Sequence, residues 1–258
     1  MGRVIAIANQ KGGVAKTTTA VNLSSCLAMA AKKVLLIDLD PQGNASSGLG
    51  LNRLNTPNCV YDVIINGLPM SSVVRRTEVE NLDLVPATMQ LAGAEVELVP
   101  VAGREQRLKK ALENIRLRYD YVFVDCPPSL GLLTLNALTA ADNLLIPIQC
   151  EYYALEGLGQ LMNTVSLVQR HLNPNLGIEG VLLTMFDART NLAIQVVDEV
   201  KNYFKGKVYS TIIPRSVRLS EAPSHGKPIV LYDPKSKGAE VYNELAKEVM
   251  ERGEERFR

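Results

Sequence analysis

Short apolar runs alternate with longer stretches of helical periodicity along most of the chain. Arg3–Asn9, Lys33–Asp40, Leu82–Ala87, Tyr121–Cys126, Asn143–Gln149, Gly180–Phe186 and Val208–Pro214 each read as a strand rich in Val, Ile and Leu. Helical patterns cover about 16–31, parts of 88–118, 132–141, 155–171, 191–204 and 238–252. Strands that are apolar on both faces belong in the middle of a parallel sheet. Strand–helix alternation implies right-handed crossovers with helices on both sides. The fold class predicted is therefore α/β, a single doubly wound, mostly parallel sheet spanning 1–258 as one domain. Residues 41–60 are rich in Gly, Asn and Ser and read as a long mobile loop. In such sheets ligands sit beyond the carboxyl ends of the strands, so the chemistry is expected just after Asn9, Asp40, Asp125 and Gln149.

Composition narrows the function classes. The 258 residues are 47% hydrophobic and 21% charged, enough apolar surface for an ordered fold. Lys and Arg total 28 against 27 Asp and Glu, which excludes a globally basic nucleic-acid coat protein but not a local patch. No Trp is present and aromatics make up 5%, which argues against base stacking on an aromatic platform. Cys26, Cys59, Cys126 and Cys150 stand far apart, and no His lies near them at zinc spacing. They read as reduced cysteines in or near the core of a cytoplasmic protein. No secretory leader is visible, and the apolar runs are too short to span a bilayer.

Gln10–Thr18 reads QKGGVAKTT, after a strand and at the start of a helix, the setting a phosphate-binding loop requires. Gly12 and Gly13 let backbone N–H groups close around an anion, and the helix beginning near Lys16 adds unpaired donors. Lys16 would set a charge on the β- and γ-phosphates, Thr17 a hydroxyl on Mg²⁺, and Thr18 a bond near the α-phosphate. Ala15 stands where the usual loop has its last Gly, but the variant K-G-G-x-x-K-[ST] is met fully, with Lys11 as its additional lysine. An alanine there is a clash risk if the position requires positive φ. Asp38 and Asp40 close the strand VLLIDLD, and Asp125 closes YVFVD. Carboxylates in apolar strands are costly unless they serve a charge. Asp40 is placed to orient a water for attack on the γ-phosphate, Asp38 lies nearer the metal, and Asp125 would hold the Mg²⁺ shell. Thr17, Asp38, Asp40 and Asp125 thus form the candidate metal set.

With these residues the sequence resembles the ParA/Soj family of partition ATPases, a branch of the deviant P-loop superfamily. The likeness covers essentially the whole chain, including KGGVAKTT, LLIDLDPQGN, YDYVFVDCPPSLGLLTLNAL, IPIQCEYYALEGL and IPRSVRLSEAPSHGKPI. The first strand begins at Arg3, which matches the short, Soj-like type. The resemblance implies a P-loop ATPase domain that binds ATP with Lys11, Gly12, Gly13, Val14, Ala15, Lys16, Thr17 and Thr18. It implies Mg²⁺ and an ATP-dependent homodimer in which Lys11 crosses to the partner's nucleotide. It also implies adenine near Met185, Phe186 and Pro214. Catalysis would rest on Lys11, Lys16 and Asp40. No arginine finger is evident, so unaided hydrolysis should be slow, and the resemblance implies stimulation by a ParB-type centromere-binding partner.

From Arg189 to Lys227 there are seven Lys or Arg and three Asp or Glu, a local excess of four against one for the whole chain. By resemblance, Arg189 and Arg218 carry nonspecific DNA binding, through phosphates and without sequence preference. That implies a cytoplasmic, nucleoid-associated protein. Three other readings compete. A MinD-like membrane ATPase needs a basic amphipathic C-terminal helix, whereas ERGEERFR has one large apolar residue and Val241, Leu245 and Val249 form a core-like stripe. A nitrogenase-iron-protein-like reductase needs two suitably placed cysteines, and Cys126 has no counterpart. An ATP-switched DNA-binding regulator would need a reading motif, and no helix-turn-helix is legible.

Overall fold

The computed structural model describes residues 2–52, 56–151 and 156–255. Seven strands build one sheet: β1 (Arg3–Ile7), β2 (Val34–Asp38), β3 (Arg75–Arg76), β4 (Leu82–Val85), β5 (Tyr121–Asp125), β6 (Asn143–Gln149) and β7 (Gly177–Thr184). Their order is β3-β4-β2-β5-β1-β6-β7, and every pairing is parallel except that of β3 with β4. The chain thus starts in mid-sheet at β1, runs out one way, returns through β5 and finishes on the other side, as the predicted doubly wound class requires.

Alternation along each strand sends side chains into two separate cores. Val4, Ala6, Leu35, Ile37, Val122 and Val124 pack on one face. Ile5, Ile7, Leu36, Phe123, Leu145 and Leu182 pack on the other. The second face is covered by the helix Lys16–Met29 and the terminal helix Lys237–Glu255, whose Val241, Leu245 and Val249 are buried as expected of a core stripe. No helix among the described residues is long and apolar enough to cross a membrane. All four cysteines are buried and free.

Three expectations need correction. The run Val208–Pro214 is not a strand of the sheet; it meets β7 and its extension in separate bridges at Val181–Val208 and Phe186–Pro214, with Tyr209 and Ile213 donating to the Val181 and Leu183 carbonyls at 2.9 Å. The backbone N–H groups of Ser210 and Thr211 donate instead to the Glu248 carboxylate at 2.8 and 3.0 Å, which draws the segment out of the ladder. The edge strand β3, two arginines long, carries no apolar signal. Within 41–60, which read as loop, Asn44–Gly48 is a short helix, and another begins at Val60; residues 53–55 lie outside the described residues. The helix placed from Leu155 is described from Glu156 to His171.

Candidate nucleotide site at the carboxyl end of the sheet

The loop between β1 and the helix Lys16–Met29 is strapped to its neighbours. Asn9 donates its side-chain amide to the Pro147 carbonyl at 2.7 Å and accepts from the Lys11 N–H at 3.1 Å. Thr184 Oγ1, at the end of β7, donates to the Val14 carbonyl at 3.2 Å. Gly13 has φ of 73°, a conformation that suits glycine. Ala15 has φ of 65° and ψ of 31° at the helix start, so the conformation that made alanine doubtful is the one it adopts. A left-handed alanine costs of order 1–2 kcal/mol. The straps at Asn9 and Val14 hold the loop around it.

Lys16 is buried and donates Nζ to the Lys11 carbonyl at 3.0 Å across the loop. Burial lowers its pKa, while Asp125, Cys126 and Asp40 pull it back up. Burial thus outweighs the acidic groups around its ammonium.

Asp38 and Asp125 are direct neighbours across β2 and β5, and their surroundings differ. One Asp38 oxygen accepts from the Ser46 N–H at 2.8 Å and the Ser46 hydroxyl at 2.7 Å, and the other from the Asp40 N–H at 3.2 Å. Burial still raises its pKa to about 6. Asp125 is fully buried, and neither carboxylate oxygen has a hydrogen-bond partner. Burial first, then the nearby Asp38 charge, push its pKa well above the carboxylate range; the approach of the Thr17 hydroxyl opposes this without reaching bonding geometry. Asp40 is nearly buried and accepts from the Gln42 N–H at 2.9 Å, which starts the turn into Asn44–Gly48.

No group of three His, Cys, Asp or Glu side chains among the described residues is arranged to hold a metal. The fit is instead that of Mg²⁺, which takes one or two protein ligands and fills its shell with phosphates and water. The bare Asp125 carboxylate beside Thr17 suits that donor set. Asp38 is already saturated by Ser46 and the Asp40 N–H.

Met185, at φ of 52°, and Pro214 line a cleft of about 120 Å³ together with Ala15, Thr18 and Tyr242. Phe186 is held beside it through its N–H to the Ile213 carbonyl at 3.1 Å. Arg189 is exposed and bidentate to Asp187, at 2.8 and 2.6 Å. Arg218 is also exposed and contacts Glu221 at 3.1 Å and Asp233 at 3.5 Å. Counting charges along the sequence missed this: Asp187 and Asp233 lie outside the counted window and neutralise both arginines in place.

The sequence reading also missed Ser46, Asn9 and Thr184, which position the carboxylates and the loop. Asn9 was adjacent to the motif; nothing local marks Ser46 or Thr184. A further long-range contact joins the turn after Asp40 to the segment following Arg218. Gly50 and Gly226 both have positive φ, 81° and 63°, and meet backbone to backbone. A Cβ on Gly226 would lie 2.8 Å from the Gly50 Cα.

The chain matches a family model described as an AAA domain over residues 2–178. It is 66% identical over 253 residues to the sporulation initiation inhibitor protein Soj of Bacillus subtilis, covering 98% of this chain and 100% of that protein. Against the chromosome partitioning protein ParA of Myxococcus xanthus it is 58% identical, covering 98% and 89%. A solved structure described as cobyrinic acid a,c-diamide synthase from Mycobacterium smegmatis, with bound ADP and magnesium, is 42% identical with a TM-score of 0.84, covering 96% and 93%. A plasmid partition protein from Borrelia burgdorferi bound to AMPPNP aligns with a TM-score of 0.81 at 25% identity, covering 99% and 100%. With two thirds of its residues shared with Soj along nearly its whole length, the chain belongs to the Soj/ParA family of chromosome-partitioning ATPases.

Proposed function

We propose that the chain, as one domain over 1–258, binds ATP and Mg²⁺ and dimerises on the bound nucleotide. The dimer holds DNA without sequence preference in the cytoplasm, on the nucleoid, and is released when a ParB-type partner stimulates hydrolysis. The observation that carries the nucleotide part is the buried, unpartnered Asp125 carboxylate facing a buried lysine at the mouth of a glycine loop. A buried carboxyl and a buried amine, each disfavoured in its charged form by burial, are both favoured as ions by a ligand bearing a cation and an anion.

In this reading Lys16 leaves the Lys11 carbonyl for the phosphates, and the loop N–H groups from Lys11 to Thr18 close on them. Thr17 and Asp125 hold Mg²⁺, which when bound offsets the phosphate charge. Asp38 acts through Ser46 by fixing the turn that presents Asp40, and Asp40 orients the attacking water. Lys11 reaches the nucleotide of the second copy, so dimerisation depends on that nucleotide. Adenine enters the cleft at Met185 and Pro214. Arg189 and Arg218 exchange their carboxylates for DNA phosphates, a small cost because exposed pairs contribute about 0–1 kcal/mol. Joining two copies doubles the phosphate contacts, so ATP switches DNA affinity through multivalency.

Size-exclusion chromatography with ATP tests this reading. Asp40→Ala should elute as a trapped dimer and retain duplex DNA, whereas Lys16→Ala should remain a monomer. A Lys16→Ala dimer with ATP would overturn the loop assignment, and DNA retention unchanged by Arg218→Ala in the Asp40→Ala dimer would overturn the arginine assignment.

A further inference from the structure

Away from the nucleotide site, a groove of about 390 Å³ runs between two pairs of short segments. One bank is formed by the helices Val60–Ile64 and Met70–Val73, the other by the helix Arg107–Leu112 and the turn Ile115–Arg118. Val63, Met70 and Ile115 form its apolar floor, and Arg107, Lys110 and Arg118 its rim. Among the described residues no carboxylate lines it. Among the described residues none of the three cations makes a hydrogen bond or an ion pair, in contrast to Arg189 and Arg218. Arg118 also lines an adjoining cleft of about 600 Å³ with Lys33 and Arg76, which extends the basic track toward the amino ends of β2, β4 and β5. Glu80 and Asp83 line that cleft as well, and Asp83 accepts from the Tyr119 hydroxyl at 2.8 Å.

Three cations with no ion pair among the described residues stand around one concavity. Their field attracts an anion, and the concave apolar floor selects which kind. A DNA backbone is convex on this scale and has no apolar group to fill the floor, so it would meet the rim alone. Among the described residues no aromatic side chain lines the groove for a nucleobase to stack on. An aliphatic side chain flanked by carboxylates satisfies floor and rim together, in the manner of an amphipathic segment lying in a groove. We propose that this groove docks an acidic segment of a partner protein, with an aliphatic side chain over Val63, Met70 and Ile115 and carboxylates on Arg107, Lys110 and Arg118. It is a second interaction surface, separate from the nucleotide site and from Arg189 and Arg218.

The test uses the full chain and a short fluorescein-labelled peptide of Glu-Glu-Leu-Leu repeats, read by fluorescence anisotropy at low salt. Binding should weaken by about tenfold in Arg107→Ala/Lys110→Ala/Arg118→Ala, as three exposed ion pairs predict. It should weaken likewise for peptides of Gln-Gln-Leu-Leu and of Glu-Glu-Ser-Ser repeats. Ala111→Gln, which crowds the groove and leaves the cations in place, should also weaken it. ATP hydrolysis should be unchanged in both variants, which checks the fold. No binding of the acidic peptide to the unaltered chain, equal binding by the triple variant, or equal binding of the Gln-containing peptide would overturn the proposal. So would a triple variant of the Asp40→Ala dimer that loses DNA and keeps the peptide, since that would make the track a nucleic-acid contact.

Discussion

The two ends of the sheet both bury charge, and they handle it differently. Toward the amino end and along the terminal helix, carboxylates are met by the fold itself. Glu179 is bidentate to Arg3 at 2.6 Å, Asp142 accepts from Arg116 at 2.5 Å, and Glu248 accepts from Ser210, Thr211 and Arg252. What is left over there, among the described residues, is one guanidinium nitrogen of Arg3 and the hydroxyls of Thr139 and Tyr209. At the carboxyl end neither Asp125 oxygen has a hydrogen-bond partner among the described residues, and Lys16 hydrogen-bonds only a carbonyl. A buried charge completed from within serves stability; one left incomplete at a sheet's carboxyl end marks where something else must arrive. The same contrast separates Asp38 from its strand neighbour Asp125.

Removing charges at each end should therefore move stability in opposite directions. Glu179→Ala leaves Arg3 unpaired and should cost about 3–5 kcal/mol in chemical denaturation. A loss within experimental scatter would mean that the pair does not hold the amino end. Glu248→Gln should cost about 1.5–3 kcal/mol at neutral pH. Burial works against the ionised Glu248, but the N–H groups of Ser210 and Thr211 and the Thr211 hydroxyl outweigh it and lower its pKa. A depressed carboxylate stabilises above its unfolded pKa and loses that contribution as pH falls through the folded value. Unaltered chain and variant should thus converge in acid, and a pH-independent difference would break the assignment. Asp125→Asn should have the smallest effect and the opposite sign: without Mg²⁺ or nucleotide it should raise stability by about 1 kcal/mol, seen as a higher melting midpoint. It should also remove the added stabilisation by Mg²⁺ and ATP, and a melting midpoint below that of the unaltered chain would end the contrast between the two ends.

Much of this was legible in the chain because parallel strands announce themselves by continuous apolar runs. β1, β2, β4, β5, β6 and most of β7 lie where the Val, Ile and Leu runs stand, and the loop at Lys11–Thr18 needs only neighbours in sequence. What escaped depends on partners far along the chain. Val208–Pro214 has the composition of a strand, but between the Tyr209 and Ile213 N–H groups that donate to β7 the Thr211 N–H goes to a carboxylate 37 residues away. The helix at Asn44–Gly48 is invisible in a stretch of small polar residues until Asp38 binds Ser46. The two carboxylates could not be ranked from sequence, since both close apolar strands and only Ser46 tells them apart. Arg189 and Arg218 read as free cations for the same reason.

The meeting of Gly50 with Gly226 has a consequence for how this protein can change. The stretch just after the helix Asn44–Gly48 and the segment that follows Arg218 touch where neither has a side chain, and a Cβ on Gly226 would lie 2.8 Å from the Gly50 Cα. Substitution at that contact cannot adjust one segment alone. A side chain at Gly226 would press on the backbone at Gly50, so the stretch after Asp40 and the stretch after Arg218 are sterically coupled there.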